Sequence, residues 1–290
     1  MKKIKFVDFW PDFNPYKDPI FSLFIKKYNL KLDEKPNLII FSVFGSEHES
    51  YNCPKLFYAA ENYKYNSYYI NNKFNVHDDS LLLQYYDFAI TNYYIDSSKH
   101  LRIPAYLRKF GFEKIKKLND VVNNSNKQKF CLFVVSNGFV GETQVRNEFF
   151  QTLNKYKKID SAGKFLNNVG YFAPFDNDEY INFISKYKFM IAFENSSWEG
   201  YTSEKPIKCF ESKTLPIYWG NSLIEKDFNN KSLILVDKND ILTSIEKIIY
   251  LDKNFDKYQE VLTQKPVDIE ILNTKENEMH NFFDKIISHI

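Results

Sequence analysis

Residues 193–220 read FENSSWEGYTSEKPIKCFESKTLPIYWG, and one strand-to-helix turn inside them gathers an amide, a tyrosine, an acid and a lysine. The residues leading into it, KYKFMIAFEN, predict a buried strand over Phe189–Phe193 that stops at a polar pair, Glu194 and Asn195. A loop with Gly200 follows, then Ser203 as the cap of a helix and Pro206 in its first turn, where proline's missing N–H costs little. Helix N-termini attract phosphate oxygens. Lys205 adds a positive charge there, and Glu204 a carboxylate of the kind that binds ribose or sugar hydroxyls. Taken alone, Glu204-Lys205 is a solvated pair at the start of a helix in an ordinary βαβ unit. The whole segment points to a sugar nucleotide.

Outward from this turn, the second half of the chain alternates. It predicts strand Phe130–Val135, helix Gln144–Tyr156, helix Asp178–Lys186, strand Phe189–Phe193, helix Glu204–Lys213 and strand Leu215–Trp219. Strand Ser232–Val236 and helices Ile241–Leu251 and Phe255–Leu262 complete it. The first half predicts strand Ile4–Phe9, a helix capped by Asp18 with Pro19 at its first position and ending at Tyr28, and strand Asn37–Phe44. Strand Leu56–Ala60 then delivers Glu61 at its C-terminal end, and strand Tyr86–Thr91 and a helix over Tyr106–Lys117 follow. Leu118–Lys129 is polar, Asn-rich and linker-like. Strands separated by helical stretches imply right-handed βαβ units and a parallel sheet, with ligands outside the C-terminal strand ends. Asn137, Asn195 and Gly220 fall at such ends.

Composition sets the outer limits. The 290 residues suit two domains or one large one, and 44% are hydrophobic, enough for a real core. Lys+Arg 39 against Asp+Glu 37 leaves no bulk charge for nucleic acid or an acidic membrane, so local basic groups must bind any anion. Cys53, Cys131 and Cys209 have no C-x-x-C spacing and read as free thiols of a reducing compartment. The start, MKKIKFVDFWPDF, has no apolar signal core, and no window approaches the ~20 apolar residues of a membrane span. Twenty-one Tyr and 28 Phe make the chain aromatic, but Asn, Lys and Ile are also heavily used, as expected of an AT-rich coding bias, so most aromatics are core or bias and only those in a polar loop, such as Asn62–Phe74 after Glu61, weigh as functional. The C-terminal stretch places Met279, Phe282, Phe283, Ile286, Ile287 and Ile290 at helical spacing, a helix expected to pack on the body, since Glu276, Glu278 and Asp284 interrupt any basic membrane face.

The pattern FENS, [GD]Y-x-[TS]-EK, helix, PIYWG resembles the signature of α-1,3/4-fucosyltransferases, glycosyltransferase family ten. KFCLFVVSN (129–137) with VRNEFF (145–150), KIDSAGKFLNNVG (158–170), KLFYAAEN (55–62) and YDFAITNYYIDSSKHLRIPAYL (86–107) are similar to further family blocks in the same order. The likeness runs from residue 35 to 250 and is most specific from 129 to 220. It implies an α/β fold of the GT-B type, two Rossmann-like domains facing across a cleft. Residues 1–125 are the expected acceptor-binding domain and 126–272 the donor-binding domain, with the helix 273–290 packing back on the first. Animal relatives carry a Golgi anchor; the expected setting here is a bacterial-type or viral cytoplasmic enzyme, peripheral contact at the inner membrane being left open.

Transfer from a nucleoside-diphosphate sugar needs charge on the leaving diphosphate and a base for the attacking hydroxyl. No G-x-G-x-x-G or G-x-x-x-x-G-K-[ST] occurs, so cationic side chains must replace a glycine cradle. Arg146, near the start of the helix after strand Phe130–Val135, offers a planar guanidinium able to clamp two phosphates; without the family likeness it is a solvated helix arginine. The resemblance carries the family's phosphate-binding arginine onto Arg146 and its lysine onto Lys205. It sets Asn195, Tyr201 and Glu204 at donor-binding positions, Tyr201 near phosphate and sugar and Glu204 toward ribose, with Ser136 and Asn137 as further candidates. Glu61 corresponds to the proposed general base; a carboxylate at a strand end beside an apolar run can have its pKa raised by desolvation.

Asp176-Asn177-Asp178 is a D-x-D of the sort that holds Mn²⁺, but its place just before a helix explains it as a capping loop. His48, His77, His100, His280 and His289 lack the i, i+4 or Cys partners of a zinc site. No cofactor is expected, and any Mn²⁺ stimulation is expected through chelation of product GDP. Trp198-Glu199, Thr202 and Ser203 depart from the family pattern; they are expected to flank the sugar pocket and leave the donor sugar open, as the Tyr-rich insert leaves the acceptor. The function implied is inverting transfer of L-fucose from GDP-β-L-fucose to a GlcNAc- or Gal-containing oligosaccharide or glycolipid, in polysaccharide or lipopolysaccharide synthesis. Another GDP-sugar as donor, or a non-catalytic glycan- or nucleotide-binding protein, are the alternatives.

Overall fold

The computed structural model of the chain describes residues 1–59, 83, 86–122, 127–136, 138 and 142–290. They form two units, one of Met1–Glu113 with Ile269–Ile290, the other of Lys114–Asp268.

The first unit carries strands β1 (Lys3–Val7), β2 (Lys31–Leu32), β3 (Leu38–Phe41), β4 (Lys55–Tyr58), β5 (Phe88–Thr91) and β6 (His100–Arg102). They lie in the order β2-β1-β3-β4-β5-β6, every pair parallel. β3 (LIIF) and β5 (FAIT) are buried at every residue, as expected of parallel strands covered on both faces. Helix α1 (Phe21–Lys27) follows Asp18, whose Oδ1 accepts from the N–H groups of Ile20 and Phe21 at 2.9 and 3.0 Å, the capping function read from its position. Helix α2 (Ala105–Lys116) kinks at Gly111, where φ is +71°.

The second unit alternates β7 (Lys129–Phe133), α3 (Thr143–Asn154), β8 (Ile159–Ser161), α4 (Asn177–Ile184), β9 (Tyr187–Ile191), α5 (Lys205–Glu211), β10 (Leu215–Tyr218) and β11 (Ile234–Leu235), then α6 (Ile241–Lys253) and α7 (Phe255–Leu262). Its strands run parallel in the order β11-β10-β9-β7-β8. Counted within the unit this is 2-1-3-4-5, a doubly wound order whose direction reverses between β7 and β9. Period-two alternation sends Phe133, Phe189 and Ile191 into a core with Phe149, Phe150, Ile245 and Ile248 on one face, and Leu132 and Met190 into a core with Ile184 and Cys209 on the other. Each fully buried phenylalanine contributes about 1.5–3 kcal/mol, so the two faces commit the sheet to this registry. Pro216 is tolerated inside β10 because Ile217 is the first residue opposite β11, so the proline's missing N–H faces no partner strand.

Three strands, β2, β6 and β8, escape sequence reading because each has only two or three residues and no sustained apolar run. The unit boundary also lies nearer the N-terminus than 125/126. Lys114 pairs with Glu211 at 2.7 Å, Leu118 is buried, and Asn119 exchanges hydrogen bonds with both backbone groups of Val267, so the first residues of the supposed linker are built into the second unit. The last helix, α8 (Ile269–His289), begins before residue 273 and belongs to the first unit. Phe283 meets Phe24 at 4.4 Å, Phe282 meets Phe88 at 5.8 Å, and Lys285 reaches the carbonyl of Ser98 at 2.7 Å.

Candidate functional site: the switch point of the second sheet

In a doubly wound sheet the strand order reverses where two neighbouring loops diverge, and the crevice left between them is where ligands bind. Here that place lies beyond the ends of β7 and β9. The β9 chain continues alongside β10, with the N–H of Ala192 on the carbonyl of Ile217 and the N–H of Glu194 on that of Trp219, at 2.8 and 2.9 Å. Glu194 is thereby fixed at the sheet end with no exposed surface.

A buried carboxylate needs partners, and Glu194 has them. Its Oε1 accepts from the N–H of Ser203 at 2.8 Å and its Oε2 from the Ser203 hydroxyl at 2.6 Å and from Lys205 Nζ at 3.0 Å. The Tyr218 hydroxyl stands 3.5 Å from Oε1; burial, and then the Glu194 charge, push that phenol well above its usual range, so it remains a donor. Gly220 is required beside it, since a Cβ there would sit 2.4 Å from Glu194 Cγ. The hydroxyl of Ser203 donates to Glu194 and accepts from the N–H of Lys205, the first residue of α5, at 3.4 Å, so the capping role expected of Ser203 is kept while its proton goes to the buried carboxylate. Lys205 is not a lone cation at a helix end. Its ammonium is anchored by a carboxylate that sequence reading left without a role.

Arg146, the fourth residue of α3, is 1% exposed, and its Nη1 lies 3.4 Å from the Asn195 side-chain oxygen. Burial lowers its pKa, yet a guanidinium stays charged across the working pH range. Glu142, just before α3, ties that helix to the loop after β9: its N–H donates to the Asn195 carbonyl at 3.0 Å, and its Oε2 accepts from the N–H of Ser197 at 2.8 Å. Lys238 reaches Glu142 Oε1 at 3.2 Å. The arrangement brings Arg146 to Asn195, and Lys205 to the residue before Asn195, on one strand end.

The remaining candidates divide. Glu204 is half-buried at the start of α5 and Tyr201 is buried in the loop between Asn195 and α5. Ser136 is exposed past β7 and takes no part in the bonds just described. Asn137 and Glu61, like the Tyr-rich stretch 62–74, lie outside the described residues. Thr202 does not flank a pocket: it is fully buried, and its hydroxyl joins Asn221 Nδ2 at 3.1 Å and Asp227 Oδ2 at 3.4 Å. Asn221 also accepts from the N–H of Gly200 at 2.8 Å, so the threonine completes a buried network that shapes the loop from inside. Asp176 caps α4 through the N–H groups of Asp178 and Glu179 at 2.9 and 3.1 Å, and no cluster of three or more His, Cys, Asp or Glu able to hold a metal occurs among the described residues.

Glu194→Gln removes the charge that anchors Lys205 and is expected to lower unfolding free energy by about 1–3 kcal/mol. Chemical denaturation measures it, and an unchanged midpoint would mean that water replaces the ion pair at no cost.

Two doubly wound parallel units, one with a cation-lined switch point, define a chain of the GT-B fold class. The model of glycosyltransferase family 10 (fucosyltransferase), C-terminal part, matches residues 124–284, and that of the α-(1,3)-fucosyltransferase FucT N-terminal domain matches residues 4–108. The chain belongs to glycosyltransferase family 10. It is 27% identical to the α-(1,3)-fucosyltransferase FucT of Helicobacter pylori over 92% of this chain and 60% of that protein. A putative fucosyltransferase of Acanthamoeba polyphaga mimivirus is 29% identical over 64% of this chain and 32% of its own length. The chain therefore spans less than two thirds of either relative. A crystal structure of an α1,3-fucosyltransferase with GDP superimposes with TM-score 0.76 at 24% identity, covering 99% of this chain and 90% of that one, which establishes the shared fold.

Proposed function

We propose that this protein is an inverting α-1,3-fucosyltransferase that moves L-fucose from GDP-β-L-fucose to a GlcNAc- or Gal-containing oligosaccharide or glycolipid. The observation that supports it most is the gathering of Arg146, Asn195 and the Lys205–Glu194 pair at the switch point of the second sheet. A diphosphate leaves with developing negative charge, and preorganised cations and donors lower the cost of forming it. In this reading Arg146 and Lys205 take the diphosphate, Asn195 and Tyr201 the phosphate and sugar, and Glu204 the ribose, with Ser136 and Asn137 as further donor-binding candidates. The acceptor oxygen bonds to C1 on the face opposite the nucleotide while the C1–O bond to GDP breaks, so the β-linked donor gives an α-linked product. The acceptor proton passes to Glu61. FucT and the GDP-bound structure lend support through what they are reported to be.

The test is incubation with GDP-fucose and lactose or N-acetyllactosamine, following GDP release. Turnover with GDP-fucose but not with GDP-mannose or UDP-galactose supports the reading; inertness with every GDP-sugar would replace it by a binding protein. No metal is assigned, because Asp176 is engaged with backbone N–H groups and, in this reading, Arg146 and Lys205 meet the leaving charge. Most activity is therefore expected to survive EDTA, and complete loss reversed by Mn²⁺ would restore Asp176 and Asp178 as metal ligands.

A further inference from the structure

The first sheet has its own switch point, between the ends of β1 and β3, and it is furnished differently. Asp8 follows β1 with φ +59° and places its carboxylate on the N–H groups of Glu47 and His48 at 2.9 and 3.0 Å and on His48 Nδ1 at 2.6 Å. Gly45 lies against it, where a Cβ would stand 2.3 Å from Asp8 Oδ1. Backbone N–H groups that could receive a phosphate are thus occupied by the chain's own anion. Lys5 is committed as well, to Glu34 at 2.7 Å and Glu47 at 3.0 Å.

Past Asp8 the loop carries Phe9, Trp10 and Phe13 and includes a second aspartate with left-handed backbone, Asp12, at φ +67°. Aspartate tolerates that region better than most residues, but two within five positions mark a loop whose path is imposed by its surroundings. Phe9 and Phe13 stack at 4.0 Å, Trp10 meets Phe13 edge-on at 4.8 Å, and Trp10 meets Phe44 of the loop after β3 at 6.1 Å. Arg108 lies 5.1 Å from the Trp10 ring centroid. The half-buried indole is held by rings on two loops, beside an open cavity of about 770 Å³ whose wall includes Phe9, Trp10, Phe13, Asp12 and Glu47. That volume is in the range of small-ligand sites.

We propose that this cavity binds a neutral saccharide, one sugar unit of the acceptor, with its C–H face on Trp10 and its hydroxyls donated to Asp12. The proposal rests on the transferase reading. An aromatic face takes the apolar side of a pyranose, and an ionised carboxylate is an acceptor for hydroxyl donors. A nucleotide is disfavoured because its phosphate would meet Asp8, Asp12 and Glu47, and an apolar chain because the exposed Asp12 would lose water without gaining donors.

The experiment is saturation-transfer NMR of lactose, N-acetyllactosamine and N-acetylglucosamine with the full chain, no donor present, on wild type, Trp10→Ala and Asp12→Asn. Asparagine keeps the left-handed backbone, so the second variant stays informative if the first melts early. Transfer to at least one saccharide in wild type, lost in the variants while calorimetric GDP affinity is unchanged, is the expected result. In turnover the acceptor KM should rise ~10-fold or more with the GDP-fucose KM constant. No saccharide bound by wild type, or equal binding by all three proteins, would overturn the site. Normal GDP-fucose turnover in both variants would likewise sink it while leaving the transferase reading intact; saccharide bound at Trp10 by a chain inert with every GDP-sugar would do the reverse.

Discussion

Arg146→Ala is expected to weaken GDP binding and to cut turnover by ~10²-fold or more, the scale of losing one preorganised charge stabiliser. The reason is geometric as well as electrostatic. Arg146 is 1% exposed and stands 3.4 Å from Asn195, so no flexible surface lysine can take over its place without rebuilding the start of α3. Arg146→Lys keeps the charge but loses the planar fork and should fall between the two. Calorimetry with GDP reads the effect directly, and a thermal melt separates it from loss of packing. Wild-type GDP affinity in a folded alanine variant would remove Arg146 from the phosphate site.

Glu61→Gln is expected to bind GDP-fucose almost normally while transfer falls by about 10²- to 10⁴-fold. A base acts on the acceptor hydroxyl and contributes little to holding the nucleotide. Glutamine preserves size and one acceptor oxygen, which limits any packing explanation. The wild-type rate should rise with pH as the carboxylate ionises, and the variant should lose that limb. Transfer near the wild-type rate in the variant would move the base elsewhere, with the exposed Glu199 beside the donor loop next in line.

These predictions differ in where their support lies. The catalytic role proposed for Glu61 comes from the stretch KLFYAAEN and its family likeness, and the residue lies outside the described structure. The role of Arg146 gains a tertiary argument. Neither the arginine nor Lys205 needed coordinates to be singled out: the absence of a glycine-rich phosphate loop called for cationic side chains, and the family resemblance placed that role on these two.

By itself the sequence determined the parallel α/β class, the long buried strands and the helical caps at Asp18 and Asp176. Those features depend on apolar periodicity and on hydrogen bonds spanning two or three residues, and both are written locally. Tertiary structure alone decided which polar groups became internal. Glu194 reads as a strand terminus until Lys205, eleven residues on, and Tyr218, across the sheet, close around it. Thr202 reads as a pocket residue until Asn221 and Asp227 return to its hydroxyl, and Asp8 reads as part of a strand running to Phe9 until β1 stops at Val7 and Glu47 and His48 fill its carboxylate. The short strands β2, β6 and β8 and the boundary at Glu113/Lys114 belong with them. In each case the deciding energy is the cost of burying a polar group or an unpaired backbone, and that cost exists only once distant segments have met.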